Sequence, residues 1–263
     1  MEIKDYVSNR KEMIKRDIVS LVIKPHLVII QVNDDDASNA YIKGKLKDAA
    51  EVNIDASLIK LSSNISEEEL ISLIKSKNAD SSVHGLIVQM PLPQQIDENK
   101  IKLAIDPAKD VDGFHPQSLY DPCTPKGIIN YLKEEKFDFS GKNAVVIGRS
   151  NIVGKPTAKL LLKENCNVTV LHSKTSFEDM NFYLAHADII VVAIGKKWFL
   201  NNQILKSSAV VIDVGINRED GKLFGDAKPS LKVKLQTPVP GGVGLLTRIT
   251  LIENLLEAYK NAI

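Results

Sequence analysis

Apolar positions along this chain fall into short blocks whose spacing changes character from one block to the next. Up to about Val22 they recur at helical intervals among alternating charges. His26 to Val32 is a nearly unbroken apolar run, which predicts a buried strand. Ser38 to Val52 returns to helical spacing, with Tyr41, Lys45 and Asp48 along one face. Ser57 to Leu61 reads as a short strand. Ser66 and Glu69 form a capping-box pattern ahead of Leu70, Ile71 and Leu73. His84 to Met90 is a second buried-strand run, stopped by Pro91 and Pro93. Strands alternating with helices of this length predict right-handed βαβ units around a parallel sheet.

Asp106 to Pro125 breaks the alternation with a long connection rich in Asp, Pro and Gly, the kind of segment that usually carries function. A helix resumes over Gly127 to Glu135. A second series of strands follows at Asn143–Gly148, Val168–His172, Asp188–Ile194 and Ala209–Val214. Thr237 to Gly244 is a Pro/Gly loop, and Ile249 to Tyr259 a closing helix able to return to the first half. The pattern predicts an α/β chain of two domains divided near Pro122. Residues 1–121 form the first, residues 122–245 the second, and a return helix over 246–263 rejoins the first. The cleft between them is the expected site.

Within the second series, Ala144-Val-Val-Ile-Gly-Arg-Ser-Asn-Ile-Val-Gly-Lys-Pro156 reads as strand, glycine turn and helix start. Gly148 and Gly154 let backbone approach a pyrophosphate, and helix-start N–H groups face its charge. The usual spacing is altered: Ser150 stands at the second glycine position and Gly154 comes one residue late. A phosphate-cradling P-loop is rejected, because Pro156 replaces the magnesium-holding hydroxyl and the loop is one residue too long. A tight turn with no ligand is the plainer alternative. The next strand ends in His172, Ser173 and Lys174, with no acid to accept from ribose hydroxyls. Together with Arg149, these donors favour the extra phosphate of NADP over NAD, although an ordinary solvated tip would look similar.

Composition narrows the picture. At 263 residues the chain suffices for two modest domains. A net charge of +1 offers no attraction to nucleic acid or to an anionic membrane. Two scattered cysteines, Cys123 and Cys166, fit neither a disulfide framework nor a zinc site, and no other metal-ligating constellation appears in the sequence. The amino terminus lacks the apolar core of a signal peptide, and the longest apolar run is too short to span a bilayer. A cytoplasmic protein is expected.

In the first half, Tyr41 and Lys45 lie one helical turn apart, Gln89 ends an apolar strand, and Asp112 sits in Lys109-Asp-Val-Asp-Gly-Phe-His115. Each has an ordinary explanation taken singly: a surface lysine, a packed tyrosine, a strand cap, an aspartate in a turn. Beside a nucleotide-binding half, the set points to an active site.

These segments resemble the bifunctional methylenetetrahydrofolate dehydrogenase/cyclohydrolase family. The likeness rests on Ser38-Asn-Ala-Tyr-Ile-Lys-Gly-Lys-Leu-Lys47, Gly85-Leu-Ile-Val-Gln-Met-Pro-Leu-Pro93, Lys109-Asp-Val-Asp-Gly-Phe114, Pro122-Cys-Thr-Pro-Lys-Gly127, the Val146–Pro156 turn, Val211-Ile-Asp-Val-Gly-Ile-Asn217 and Thr237-Pro-Val-Pro-Gly-Gly-Val-Gly244, in family order. The resemblance implies an amino-terminal catalytic domain, a Rossmann-type NADP-binding domain and a homodimer. It implies oxidation of 5,10-methylenetetrahydrofolate with NADP⁺, then hydrolysis of the methenyl product to 10-formyltetrahydrofolate. Lys45 would be the general acid/base, Gln89 would hold it and the attacking water, Tyr41 would stack on the folate, and Asp112 would accept from the pterin. Ser38, Pro240, Gly241 and Gly242 would complete the folate side. Gly148, Arg149, Ser150, Ser173 and Ile216 would hold the nucleotide.

The chain departs from the family pattern in two places. Val32-Asn-Asp-Asp-Asp-Ala37 replaces a Gly/Pro loop. Leu245-Leu-Thr-Arg248 replaces Pro-Met-Thr and a small apolar residue, in what is expected to be a loop lining the cleft. A dehydrogenase with a weak cyclohydrolase is therefore an alternative. So is an NADP-sensing module without turnover, against which Lys45, Gln89 and Asp112 argue. An unrelated dehydrogenase would want a base in the nucleotide half, where His172 and His186 are unconvincing.

Overall fold

The computed structural model describes residues 1–262, which divide into two compact α/β units. One unit comprises Ser8–Cys123 and the chain from Arg248 onward; the other comprises Met1–Val7 and Thr124–Thr247.

The first series runs α1 (Ile3–Val19), β1 (His26–Gln31), α2 (Asp36–Glu51), β2 (Asp55–Lys60), α3 (Glu67–Ala79), β3 (Gly85–Val88) and α4 (Glu98–Ala104). Its sheet is parallel with order β2-β1-β3, and β1 takes the centre. On one face Val28 and Ile30 of β1 pack with Leu70 and Ile74 of α3 and Ile101 of α4. Leu27 and Ile29 point to the other face by the two-residue period and are equally buried. Burying each such side chain contributes about 1.5–3 kcal/mol.

Helix α2 begins two residues before the expected Ser38, because the acidic segment ahead of it supplies a cap. Asp35 Oδ1 accepts from the N–H groups of Ala37 and Ser38, both at 3.0 Å. These hydrogen bonds, chiefly with Ser38, hold the Asp35 carboxyl below its ordinary range. The capping box of α3 is formed in both directions: Glu69 N donates to Ser66 Oγ and Ser66 N donates to Glu69 Oε2. The connection between α4 and the next helix is irregular yet well tied. Leu86 N donates to Lys109 O, and Tyr120 Oη to Ala108 O.

The second series runs α5 (Cys123–Glu134), β4 (Asn143–Ile147), α6 (Gly154–Lys163), β5 (Asn167–Leu171), α7 (Phe177–His186), β6 (Ile189–Val192), β7 (Val210–Asp213), β8 (Asn217–Glu219), β9 (Lys222–Phe224), β10 (Leu235–Gln236) and α8 (Val243–Ala262). Its five-stranded sheet is wholly parallel, with order β10-β7-β6-β4-β5. The order reverses at β4: β5 adds on one side, β6 and β7 on the other. Such a switch point opens a crevice beyond the carboxyl ends of the strands. Strands β8 and β9 form a separate antiparallel hairpin. Among the described residues, no helix is long and apolar enough to cross a membrane.

One expectation is corrected. Leu245–Arg248 is not a loop: these residues lie in the first two turns of α8, which starts at Val243. Leu245 N donates to Gly242 O at 2.9 Å, which closes the first turn of the helix.

Candidate functional site

In the unit built on β1, Lys45, Gln89 and Asp112 come together. Helix α2 presents Lys45 inward, and its side chain is only 3 % exposed. Gln89 follows β3 directly, and its N–H continues the ladder to Ile30 O. Lys45 Nζ donates to Gln89 Oε1 at 3.2 Å and lies 3.5 Å from Asp112 Oδ2. Tyr41, one turn earlier on α2, places its ring centroid 5.2 Å from the same ammonium. The other end of the Gln89 amide donates to Met90 O at 2.9 Å, which fixes the acceptor toward Lys45. Ser38 is buried on the first turn of α2.

Asp112 is delivered by a loop anchored at several points. Gly113 has φ +76°, a left-handed value, and a Cβ there would meet the Pro122 backbone at 2.7 Å. Asn254 on α8, fully buried, donates to Val111 O at 2.9 Å and to Asp121 O at 3.2 Å. Neighbouring Asp110 is buried, and its Oδ2 accepts from His115 N at 2.7 Å. Burial, with help from the Asp112 charge, pushes the Asp110 carboxyl above its ordinary value. Cys123 is buried, with Sγ on Val111 O, and is no exposed nucleophile.

In the other unit, the nucleotide candidates cluster at the carboxyl ends of the strands. Gly148 has φ +120°, and a Cβ there would strike Ala193 O; one on Gly154 would strike Gly148 O. Both glycines let backbone segments pack against each other more closely than any side chain would allow, which makes the turn tight. The register pairs Ile147 with Leu171, so Arg149 and Ser173 stand two residues beyond matched positions on adjacent strands. Both are exposed, as is Lys174. Ser150 Oγ accepts from the N–H groups of Val153 and Gly154, each at 3.2 Å. Those two donors at the start of α6 are thus engaged within the chain rather than free. Ile216 follows β7 and is 63 % exposed. Pro240 is exposed, Gly241 has φ +94°, and a Cβ on Gly242 would collide with Pro238 O.

Two residues that the sequence did not single out organise these loops. Asp226, fully buried, accepts from Ile194 N, Gly195 N and Lys196 N at 2.7–2.9 Å and from Asn217 Nδ2 at 3.0 Å. Asp213, at the end of β7, accepts from Gly215 N, Asp226 N and Ala227 N at 2.8–3.0 Å. Burial pushes its carboxyl up to about 6 despite those donors. The available signal was an acid closing the apolar run Val210–Asp213 and a Gly-Asp pair at 225–226. Among the described residues no cluster of metal ligands is found.

Comparison with known proteins bears on both units. Residues 1–112 match the tetrahydrofolate dehydrogenase/cyclohydrolase catalytic domain, and residues 122–263 match the NAD(P)-binding domain of the same family. The chain is 46 % identical to the bifunctional protein FolD of Oceanobacillus iheyensis, across 98 % of this chain and 95 % of that one. The crystal structure of the bifunctional enzyme FolD from Campylobacter jejuni superposes with a TM-score of 0.94 at 40 % identity, covering 99 % and 98 % of the two chains. The Trypanosoma brucei methylenetetrahydrofolate dehydrogenase-cyclohydrolase, solved with NADP cofactor and inhibitor, gives 0.92 at 28 % identity, covering 99 % and 97 %.

Proposed function

Since the chain belongs to the tetrahydrofolate dehydrogenase/cyclohydrolase family, we propose how its own residues divide the family's two reactions. The enzyme oxidises 5,10-methylenetetrahydrofolate with NADP⁺ and hydrolyses the resulting 5,10-methenyl cation to 10-formyltetrahydrofolate. The observation that carries the assignment of roles is the Lys45 ammonium, nearly sealed from solvent and held by Gln89 and Asp112.

NADP, when bound, accepts the hydride released by the folate methylene carbon. Gly148 and Gly154 let the turn fold tightly at the strand end where a pyrophosphate would lie, and Arg149, Ser173 and Lys174 offer exposed donors at adjacent strand ends. A guanidinium, a hydroxyl and an ammonium without an acid suit a 2′-phosphate. Ser150 shapes the turn through its hydrogen bonds and takes part in holding the phosphates, with Ile216 on the nicotinamide side. The role of this unit in the oxidation is alignment.

In the hydrolysis, Lys45 in its neutral amine form takes a proton from the water that attacks the methenyl carbon, and the ammonium so formed returns it as the carbon–nitrogen bond opens. Gln89 orients the amine and the water. Tyr41 supplies a face for the folate rings, with Ser38, Pro240, Gly241 and Gly242 bordering the substrate. Asp112 accepts from the pterin N–H groups, which a carboxylate does well. We further propose a cytoplasmic homodimer that takes neither nucleic acid nor membrane as partner; kinship and the +1 net charge support this.

The test is turnover of 5,10-methylenetetrahydrofolate with NADP⁺ and, separately, NAD⁺, with methenyl and formyl products distinguished by acid and neutral quench. The expected result is preferential NADPH formation, with 10-formyltetrahydrofolate appearing faster than spontaneous hydrolysis allows. Methenyl product alone would favour a dehydrogenase without efficient cyclohydrolase. Equal use of both nucleotides would refute the roles given to Arg149 and Ser173.

A further inference from the structure

Arg248 is the charge that departs from the family pattern, and its surroundings give it a task. Its Nε lies 2.8 Å from Asp48 Oδ2, an ion pair close in distance though not aligned as a hydrogen bond. Lys11 of α1 takes the other oxygen: its Nζ is 2.5 Å from Asp48 Oδ1 and 2.6 Å from Glu51 Oε2. The Asp48 side chain is 5 % exposed, so its charge depends on these two cations. The Arg248 guanidinium lies over Gly44, where any Cβ would collide with Nη1. Gly44 is in the middle of α2, a place where glycine costs stability relative to alanine, so the gap it leaves serves the guanidinium. Gly44 and Asp48 flank Lys45.

Residues three apart on a helix are neighbours. Asp48 stands three residues after Lys45, on the same face, and an oxygen of Asp48 lacking its cation would compete for the Lys45 ammonium against Gln89 and Asp112. We propose that Arg248 is a positioning residue for the hydrolysis: by holding Asp48 Oδ2 it keeps the carboxylate from drawing Lys45 off Gln89. Gly44 is the space that makes this possible. The inference rests on the role given above to Lys45.

The test is the set R248M, R248M/D48A and G44A, assayed for both reactions beside wild type. R248M should lower the hydrolysis rate roughly tenfold while leaving the oxidation within about twofold, as a small displacement of one catalytic group does. Removing the competitor in R248M/D48A should restore hydrolysis to within about twofold of wild type, a non-additive result that a purely structural contact would not give. G44A should resemble R248M, because the collision falls on a flexible side-chain end and displaces Arg248 while the helix survives. A crystal structure of R248M, with Lys45 Nζ on Asp48, would support the proposal even without an assay. It is overturned if Lys45 stays on Gln89 in that structure, if R248M hydrolyses at the wild-type rate, or if D48A fails to rescue. Hydrolysis by a Lys45→Met enzyme at the wild-type rate would instead strike the role of Lys45.

Discussion

The Lys45 amine on α2 and the carboxylates of Asp213, at the end of β7, and Asp226, just after β9, are buried alike but served differently. Lys45 has two polar partners at 3.2 and 3.5 Å and a tyrosine ring. Asp226 has four donors within 3.0 Å, and Asp213 has three. A buried charge with a full set of short hydrogen bonds is committed to holding backbone in place. A buried amine with long, few bonds can give them up and exchange a proton. Burial alone does not mark a catalytic residue; the completeness of its partners separates the reactive group from the framework.

That contrast can be broken by removing a framework acid. Asp226→Ala leaves the N–H groups of Ile194, Gly195 and Lys196 without their acceptor and should cost about 3 kcal/mol or more of stability. Chemical denaturation reads this, and NADP affinity should fall with it. An unchanged midpoint and affinity would mean these loops hold their shape without the carboxylate.

A smaller effect sharpens the role of Asp213. Its carboxyl is pushed up to about 6 from an ordinary 3.8, mainly by burial. The protonated form is therefore favoured in the folded state. Its contribution to stability is fully present below about pH 4 and is lost as pH rises through about 6. Relative to Asp213→Asn, wild-type stability should decline across that interval; a flat difference would show that the group does not titrate there.

The smallest expected effect serves as a control at a residue given no part in either reaction. Ser66→Ala removes the capping box of α3 and should cost about 1 kcal/mol with both reactions intact. Loss of activity on this change would show that the first unit does not tolerate local weakening.

Much of the architecture was legible because it rests on local patterns. The alternation of apolar runs and helical spacing located β1, α2, β3, β4 and β5 to within a few residues, and Tyr41 and Lys45 could be placed on one helix face from spacing alone. Three features escaped. Helix α4 has seven residues, too few for its period to emerge. The β8–β9 hairpin has a turn signal in Asp220-Gly221, both with positive φ, but its strands Asn217-Arg-Glu219 and Lys222-Leu-Phe224 are too short and polar to read as strands. The links from Asp213 and Asp226 to their loops join residues up to 32 apart, and no local pattern encodes them. The Pro/Gly run before Leu245–Arg248 suggests a loop continuing through it, whereas Gly244 already lies within α8.

The central claim is that Lys45 performs the hydrolysis and takes no part in nucleotide binding. The most direct measurement takes hydrolysis of the methenyl substrate and NADP affinity on one preparation of Lys45→Met. The account predicts a loss of hydrolysis of about 10²–10⁴-fold, the usual worth of a positioned acid/base, with NADP affinity unchanged. Hydrolysis retained at the wild-type rate, or lost in parallel with nucleotide binding, would contradict it.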